Sequence, residues 1–241
     1  VRGVQVVIEP HSQENENGGT LAYTVTVKNM SNVQENFQLT RGDNSGWTLA
    51  LDNVQFDNVP RGENRTTTLY VTIPANARGC TWDNIWVKAT SKENSAIFDN
   101  KSCLAHVRVV RGVDVSISPS YQSGLPGATL DYNVTVANLG NTEDTYDLIA
   151  SDDAGWSPSV SPDSLAVPPW ENRTTTLSVT VPLDAIGCTN DNMIVTATSR
   201  ADNTVKDNDN CVAHATIVRG VDVMISPSYQ SGAQGSALSY T

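Results

Sequence analysis

The sequence predicts an all-β protein made of tandem immunoglobulin-like β-sandwich domains, about seven strands each, and three observations carry that prediction. A domain-sized repeat runs through the chain. Apolar and polar residues alternate at period two within each copy. No long segment carries the apolar stripe of a helix.

The repeat is marked by Val1-Arg2-Gly3-Val4, which recurs as Val110-Arg111-Gly112-Val113 and as Val218-Arg219-Gly220-Val221. Between the markers the copies stay in step. Gly46-Trp47 answers Gly155-Trp156, the run from Glu63 to Leu69 is identical to that from Glu171 to Leu177, and Cys80 and Cys103 answer Cys188 and Cys211. A unit of about 108 residues is large enough for its own core, unlike the short units of a solenoid. The expected organisation is one domain over residues 1–109, a second over 110–217, and the start of a third over 218–241, either truncated or donated as a strand to a neighbour.

The strands follow in order. In the second copy Val113, Val115 and Ile117 alternate with polar residues, as do Leu130, Tyr132, Val134 and Val136, and then Leu177, Val179 and Val181. The first copy repeats the scheme with Leu21, Tyr23, Val25 and Val27, then Leu69, Val71 and Ile73. Asn17-Gly18-Gly19, Pro126-Gly127 and Pro168-Pro169 are turn signals between runs. Residues 74–79 and 182–187 are the one ambiguous segment, readable as a short helical turn. Trp47 and Trp156, each after a glycine at a strand start, read as core plugs, whereas Trp82, Trp86 and Trp170 are unshared and read as exposed.

A strand ending Thr-Val is followed by Asn138-Leu139-Gly140-Asn141, an acidic residue and Tyr146, then by Gly155-Trp156, a Thr-rich strand ending at Pro182, and residues 195–199. This pattern resembles the Ig-like repeats of the NEW3 and CARDB kind, common in archaeal and bacterial surface proteins. The resemblance covers both complete copies. It implies a sandwich fold and a cell-surface setting, in which such modules act as stalks, spacers and filament units.

Between the copies, residues 105–110 and 113–117 are both β-like, with only Arg111-Gly112 between them. Without a Gly/Ser- or Pro-rich linker, flexible-chain behaviour is not expected, and the joint reads as stiff. The alternative is two beads on a short hinge at Gly112.

The charge of −11 excludes a nucleic-acid partner, because binding phosphates needs a basic stripe. No apolar run approaches the ~20 residues of a membrane-spanning helix. The chain begins at Val1, with no leader sequence, and reads as part of something longer. The cysteines lack the close spacing of a zinc site. With residues 91–95 as a hairpin tip, Cys103 falls opposite the start of the preceding strand and Cys80 just before it. This predicts Cys80–Cys103 and Cys188–Cys211 disulfides, each worth ~3 kcal/mol. The competing connectivity joins Cys103 to Cys188, and free thiols are the third alternative. Five glycosylation sequons begin at Asn29, Asn64, Asn100, Asn133 and Asn172, and with the disulfides they point outside the cell.

Other signals are weaker. Arg41-Gly42-Asp43 spells a receptor tripeptide but reads as a turn. His106 and His214 lack a neighbouring nucleophile motif, so no catalytic residue is assigned. Asp202, Asp207 and Asp209 with Asp191 are candidate calcium ligands, against a reading as a hydrated acidic loop, and no other cofactor is expected. The expected function is an extracellular structural element, a segment of a surface filament, thread, stalk or S-layer whose partners are further repeats, copies of itself and covalent glycans. An adhesin or carbohydrate-binding region is the alternative.

Overall fold

The computed structural model describes residues 2–241, so Val1 of the first repeat marker lies outside it. The described residues form eighteen β-strands and no helix. The first half contributes β1 (Val4–Glu9), β2 (Ser12–Asn15), β3 (Thr20–Asn29), β4 (Glu35–Gly42), β5 (Thr48–Leu51), β6 (Gln55–Val59), β7 (Asn64–Thr72), β8 (Trp82–Ser91) and β9 (Phe98–Val107). They make a four-stranded sheet, β1-β3-β7-β5, and a five-stranded sheet, β2-β9-β8-β4-β6.

The second half repeats this with β10 (Val113–Ser118), β11 (Tyr121–Gly124), β12 (Thr129–Asn138), β13 (Asp144–Asp152), β14 (Ser159–Ser161), β15 (Ser164–Val167), β16 (Asn172–Thr180), β17 (Asn190–Ser199) and β18 (Lys206–Ala215). Its sheets are β10-β12-β16-β14 and β11-β18-β17-β13-β15. Each half encloses its own core, one running from Val6 to Val107 and the other from Val115 to Ala215.

Period-two alternation builds these cores as expected, since successive strand side chains point to opposite faces. Leu21, Tyr23, Val25 and Val27 are buried in β3, and Leu130, Tyr132, Val134 and Val136 in β12. The Tyr23 hydroxyl donates to Leu104 O at 2.7 Å and that of Tyr132 to Val212 O at 2.8 Å, which ties one sheet to the other in each sandwich. Trp47 and Trp156 are buried plugs.

Nine strands per unit replace the expected seven for identifiable reasons. The first strand serves both sheets. β1 runs antiparallel to β3, and beyond Pro10, which has no N–H for a ladder, the chain crosses over and β2 runs parallel to β9. The one further strand in each unit comes from the short edge pieces of three to five residues, β5 and β6 or β14 and β15, which are too short for a clear alternation. Residues 74–80 form turns rather than a helical segment, and Cys80 adopts φ 65°.

Residues 218–241 contain no strand. Val223, Ile225, Leu238 and Tyr240 are exposed, while the equivalent Val115, Ile117, Leu130 and Tyr132 are buried. In the second sandwich those positions are covered by β16 and β18, and residues 218–241 have no counterpart of either strand beside them.

Candidate functional site: the seam and the outer faces

The junction between the sandwiches is held by a cluster of hydrogen bonds centred on Asn141. Its side chain accepts from Val110 N at 2.9 Å, donates to Arg108 O at 2.8 Å and reaches Asn17 Oδ1 at 3.2 Å. Its backbone N–H donates to Val110 O at 3.0 Å, and its carbonyl accepts from Gly79 N at 2.9 Å. A residue of the second unit is thereby bonded to Asn17, Gly79 and Arg108 of the first. Asn141 is buried, and a buried amide with this many partners holds one geometry, because each lost bond leaves a desolvated group.

Close approach fixes two glycines here. A β-carbon on Gly79 would lie 2.7 Å from Asn141 Oδ1, and one on Gly140 would lie 2.5 Å from Val110 O.

The linker residues are equally committed. Arg111 Nη1 donates to Asp144 Oδ2 at 2.8 Å, and Asp144 also accepts from Ser199 Oγ at 2.7 Å. Gly112 O accepts from Leu139 N at 3.0 Å and from the Tyr146 hydroxyl at 2.9 Å. The first unit repeats the ion pair, with Arg2 Nη1 2.6 Å from buried Glu35 and Ser91 Oγ donating to Glu35 at 2.7 Å. This explains the repeat marker. Its arginine neutralises a buried acid at the start of β4 or β13, and its glycine carbonyl closes the corner. Sequence reasoning noticed the marker but missed its chemistry, since Glu35 and Asp144 differ between copies and lie about 33 positions downstream.

The cysteines do not form the expected disulfides. All four are free thiols, with Cys80 and Cys188 exposed and Cys103 and Cys211 buried. Antiparallel register sets Cys103 against Ile85, whereas Cys80 N bonds Val107 O, four residues further along β9. At about 3.3 Å per residue that is ~13 Å, well beyond disulfide reach. The second unit repeats the offset, with Cys211 against Met193 and Cys188 N on Ala215 O. A Cys103–Cys188 bridge fails because Cys103 is enclosed in the first core. Burial pushes the Cys103 and Cys211 thiols up to about 12, which makes them unreactive.

The calcium candidates are also separated. Asp191 pairs with Ala213, while Asp207 and Asp209 pair with Ala197 and Val195 at the other end of the ladder. Among the described residues no group of three His, Cys, Asp or Glu side chains is placed to hold a metal ion. Asp207 and Asp209 instead accept from Val115 N and Ile117 N, both at 2.8 Å, and Asp99 accepts from Val6 N at 2.7 Å. These carboxylates occupy the outward N–H groups of edge strands β10 and β1, which blunts them against adventitious pairing. Asp202 closes its own turn onto Thr204.

Four sequon asparagines, Asn64, Asn100, Asn133 and Asn172, are exposed on outer faces. Asn29 is not. It is fully buried, its Nδ2 donates to Val33 O and Val59 O at 2.9 Å, and its Oδ1 accepts from Ser31 N at 2.8 Å. No glycan fits there, and Asn138, which begins no sequon, does the same structural work in the second unit.

The remaining signals have local roles. Arg41 donates to Leu49 O at 3.0 Å and Asp43 accepts from Trp47 N at 2.5 Å, so that tripeptide is bound into its own turn. His106 stacks on Trp82 with centroids 4.0 Å apart, and His214 lies 2.6 Å from Asn190 Oδ1.

No family model and no curated protein matches the chain. It is similar in structure to a protein of unknown function from Porphyromonas gingivalis W83, at 13% identity, TM-score 0.35, covering 87% of this chain and 99% of that one. It is also similar to the fibronectin(III)-like modules of Clostridium thermocellum CbhA, at 12% identity and TM-score 0.28, covering 91% and 100%. Domains 5–6 of the S-layer protein SbsC are similar at 11% identity and TM-score 0.28, covering 90% and 100%.

Proposed function

We propose that this chain is a length of a rigid extracellular fibre, a surface filament, thread or stalk in which Ig-like sandwiches are joined end to end and carry N-linked glycans. One observation carries the reading: the seam has no free linker, and Asn141 bonds three residues of the preceding sandwich. A joint of this kind transmits bending force from domain to domain, which a stalk needs and a pair of independent modules does not. Residues 218–241 begin the next unit of the array. The polar, acidic surface keeps neighbouring fibres apart and soluble. In this reading the protein has no catalytic centre and no cofactor.

The second reading, a carbohydrate-recognising adhesin region, draws on Trp82, which is half exposed on the outer face of β8. Electron microscopy of native surface material labelled with an antibody to this chain separates the two. A filament component gives unbranched fibres labelled along their length. Label confined to fibre tips, or found only on soluble particles, contradicts the structural reading.

A further inference from the structure

The outer face of the five-stranded sheet in the first sandwich holds a combination that the second lacks. Trp86 on β8 is registered against Ser102 on β9, and its neighbour Lys88 against Asn100, so Asn100 and Trp86 are diagonal neighbours on one face. Asn100-Lys101-Ser102 is a sequon, and Asn100, Ser102, Trp86 and His11 line one open cleft of about 330 Å³. The indole lies across Gly42 of β4, where a β-carbon would meet the ring at 2.5 Å. The ring is thereby fixed against backbone on one side.

In the second sandwich the matching positions are Ile194 and Asn208-Asp209-Asn210, with neither indole nor sequon. The fold is the same in both units, so the fold does not require Trp86; the first unit has both the indole and the complete sequon, and the second keeps the asparagine as Asn208 but has neither the indole nor the hydroxyl residue of the sequon.

We infer that Asn100 carries an N-linked glycan whose first sugar packs its apolar C–H face on Trp86, in the cleft beside His11. This rests on the reading of the exposed sequons as glycan sites. In the modification, Asn100 Nδ2 displaces phosphate from the anomeric carbon of a phosphate-linked sugar donor. A C–N bond forms, the C–O bond to phosphate breaks, and the amide loses one proton. An aromatic face offers a sugar a flat apolar surface, and a ring already held by Gly42 loses little freedom on contact. The glycan would then be a structural part of the first sandwich, unlike sugars at Asn64 or Asn172, which stand on the Thr-rich sheet.

The test is a double-mutant cycle on glycosylated protein, comparing wild type, Asn100→Gln, Trp86→Leu and the double variant, with glycopeptide mass spectrometry at Asn100. Leucine keeps apolar cover over Gly42, so the first sandwich still folds. The expected result is occupancy at Asn100. Loss of that sugar then lowers the thermal midpoint by about 4 °C with Trp86 present, and by less than about 1 °C in the Trp86→Leu background. An equal shift in both backgrounds, or an unmodified Asn100 in protein glycosylated at Asn64 or Asn172, overturns the inference. A chain carrying no glycan at any sequon overturns it as well and leaves the rod reading intact, because stiffness of the joint is measured on unmodified protein.

Discussion

Asn138→Ala is expected to destabilise the second sandwich by about 3 kcal/mol, and Asn29→Ala the first by a similar amount. Asn138 Nδ2 donates to Thr142 O at 2.8 Å and Val167 O at 2.9 Å, and its Oδ1 accepts from Gly140 N at 2.8 Å. Truncation leaves two carbonyls and one N–H without partners at a buried corner, each costing on the order of 1 kcal/mol or more. Asn29 makes the matching set with Val33, Val59 and Ser31. Urea unfolding read by the buried indoles Trp47 and Trp156 checks this domain by domain. A loss below about 1 kcal/mol would mean that water replaces the side chain and that the corner is held by other contacts.

The second large effect concerns pH. Asp83 and Asp191 are fully buried, and each keeps one carboxylate oxygen without a hydrogen-bond partner. Asp83 Oδ1 accepts from Asn44 N and Ser45 N, both at 3.1 Å, and Asp191 Oδ1 from Ala154 N at 3.0 Å. Burial raises both carboxyls above the usual carboxylate range, and the nearby charges of Asp43, or of Asp152 and Asp153, add to it. The native state therefore holds these protons more tightly than the unfolded chain, where a carboxyl titrates near about 3.9. Their contribution to stability is complete below that value and is lost as pH rises through the raised native value.

Asp83→Asn and Asp191→Asn keep the acceptor oxygen and replace the unpaired one with an uncharged amide. Each is expected to stabilise the protein at pH 7 by on the order of 1 kcal/mol, with the gain vanishing near pH 3. Denaturation midpoints from pH 3 to pH 8 test this. A variant that is less stable than wild type at pH 7, or a difference that grows on acidification, refutes it.

How far the sequence could be read varies with the physics of each feature. Core strands were legible because burial imposes period two directly on Leu130, Tyr132, Val134 and Val136. Edge strands such as β14, three residues long, leave no such imprint. The sequon at Asn29 misled because three residues fit a glycan site while the fold claims the same amide for Val33 O and Val59 O. The cysteine pairing failed on register: spacing along the chain placed Cys80 beside the right hairpin, but four residues of strand separate it from Cys103. Asp207 and Asp209 looked like a cluster because they are close in sequence, yet each faces a different N–H of β10. Asn141, the centre of the seam, lies within Asn138-Leu139-Gly140-Asn141 without any signal of its role, since its partners at Asn17, Gly79 and Arg108 are set by how the two units meet.

The joint itself offers the most direct measurement. Residual dipolar couplings in weakly aligned, unmodified protein report one alignment tensor for each sandwich. A fixed seam predicts tensors equal in magnitude and sharing one orientation in wild type, and diverging in Asn141→Ala. Unequal magnitudes in the wild-type protein would show two modules reorienting about Gly112, and a rod could not be built from them.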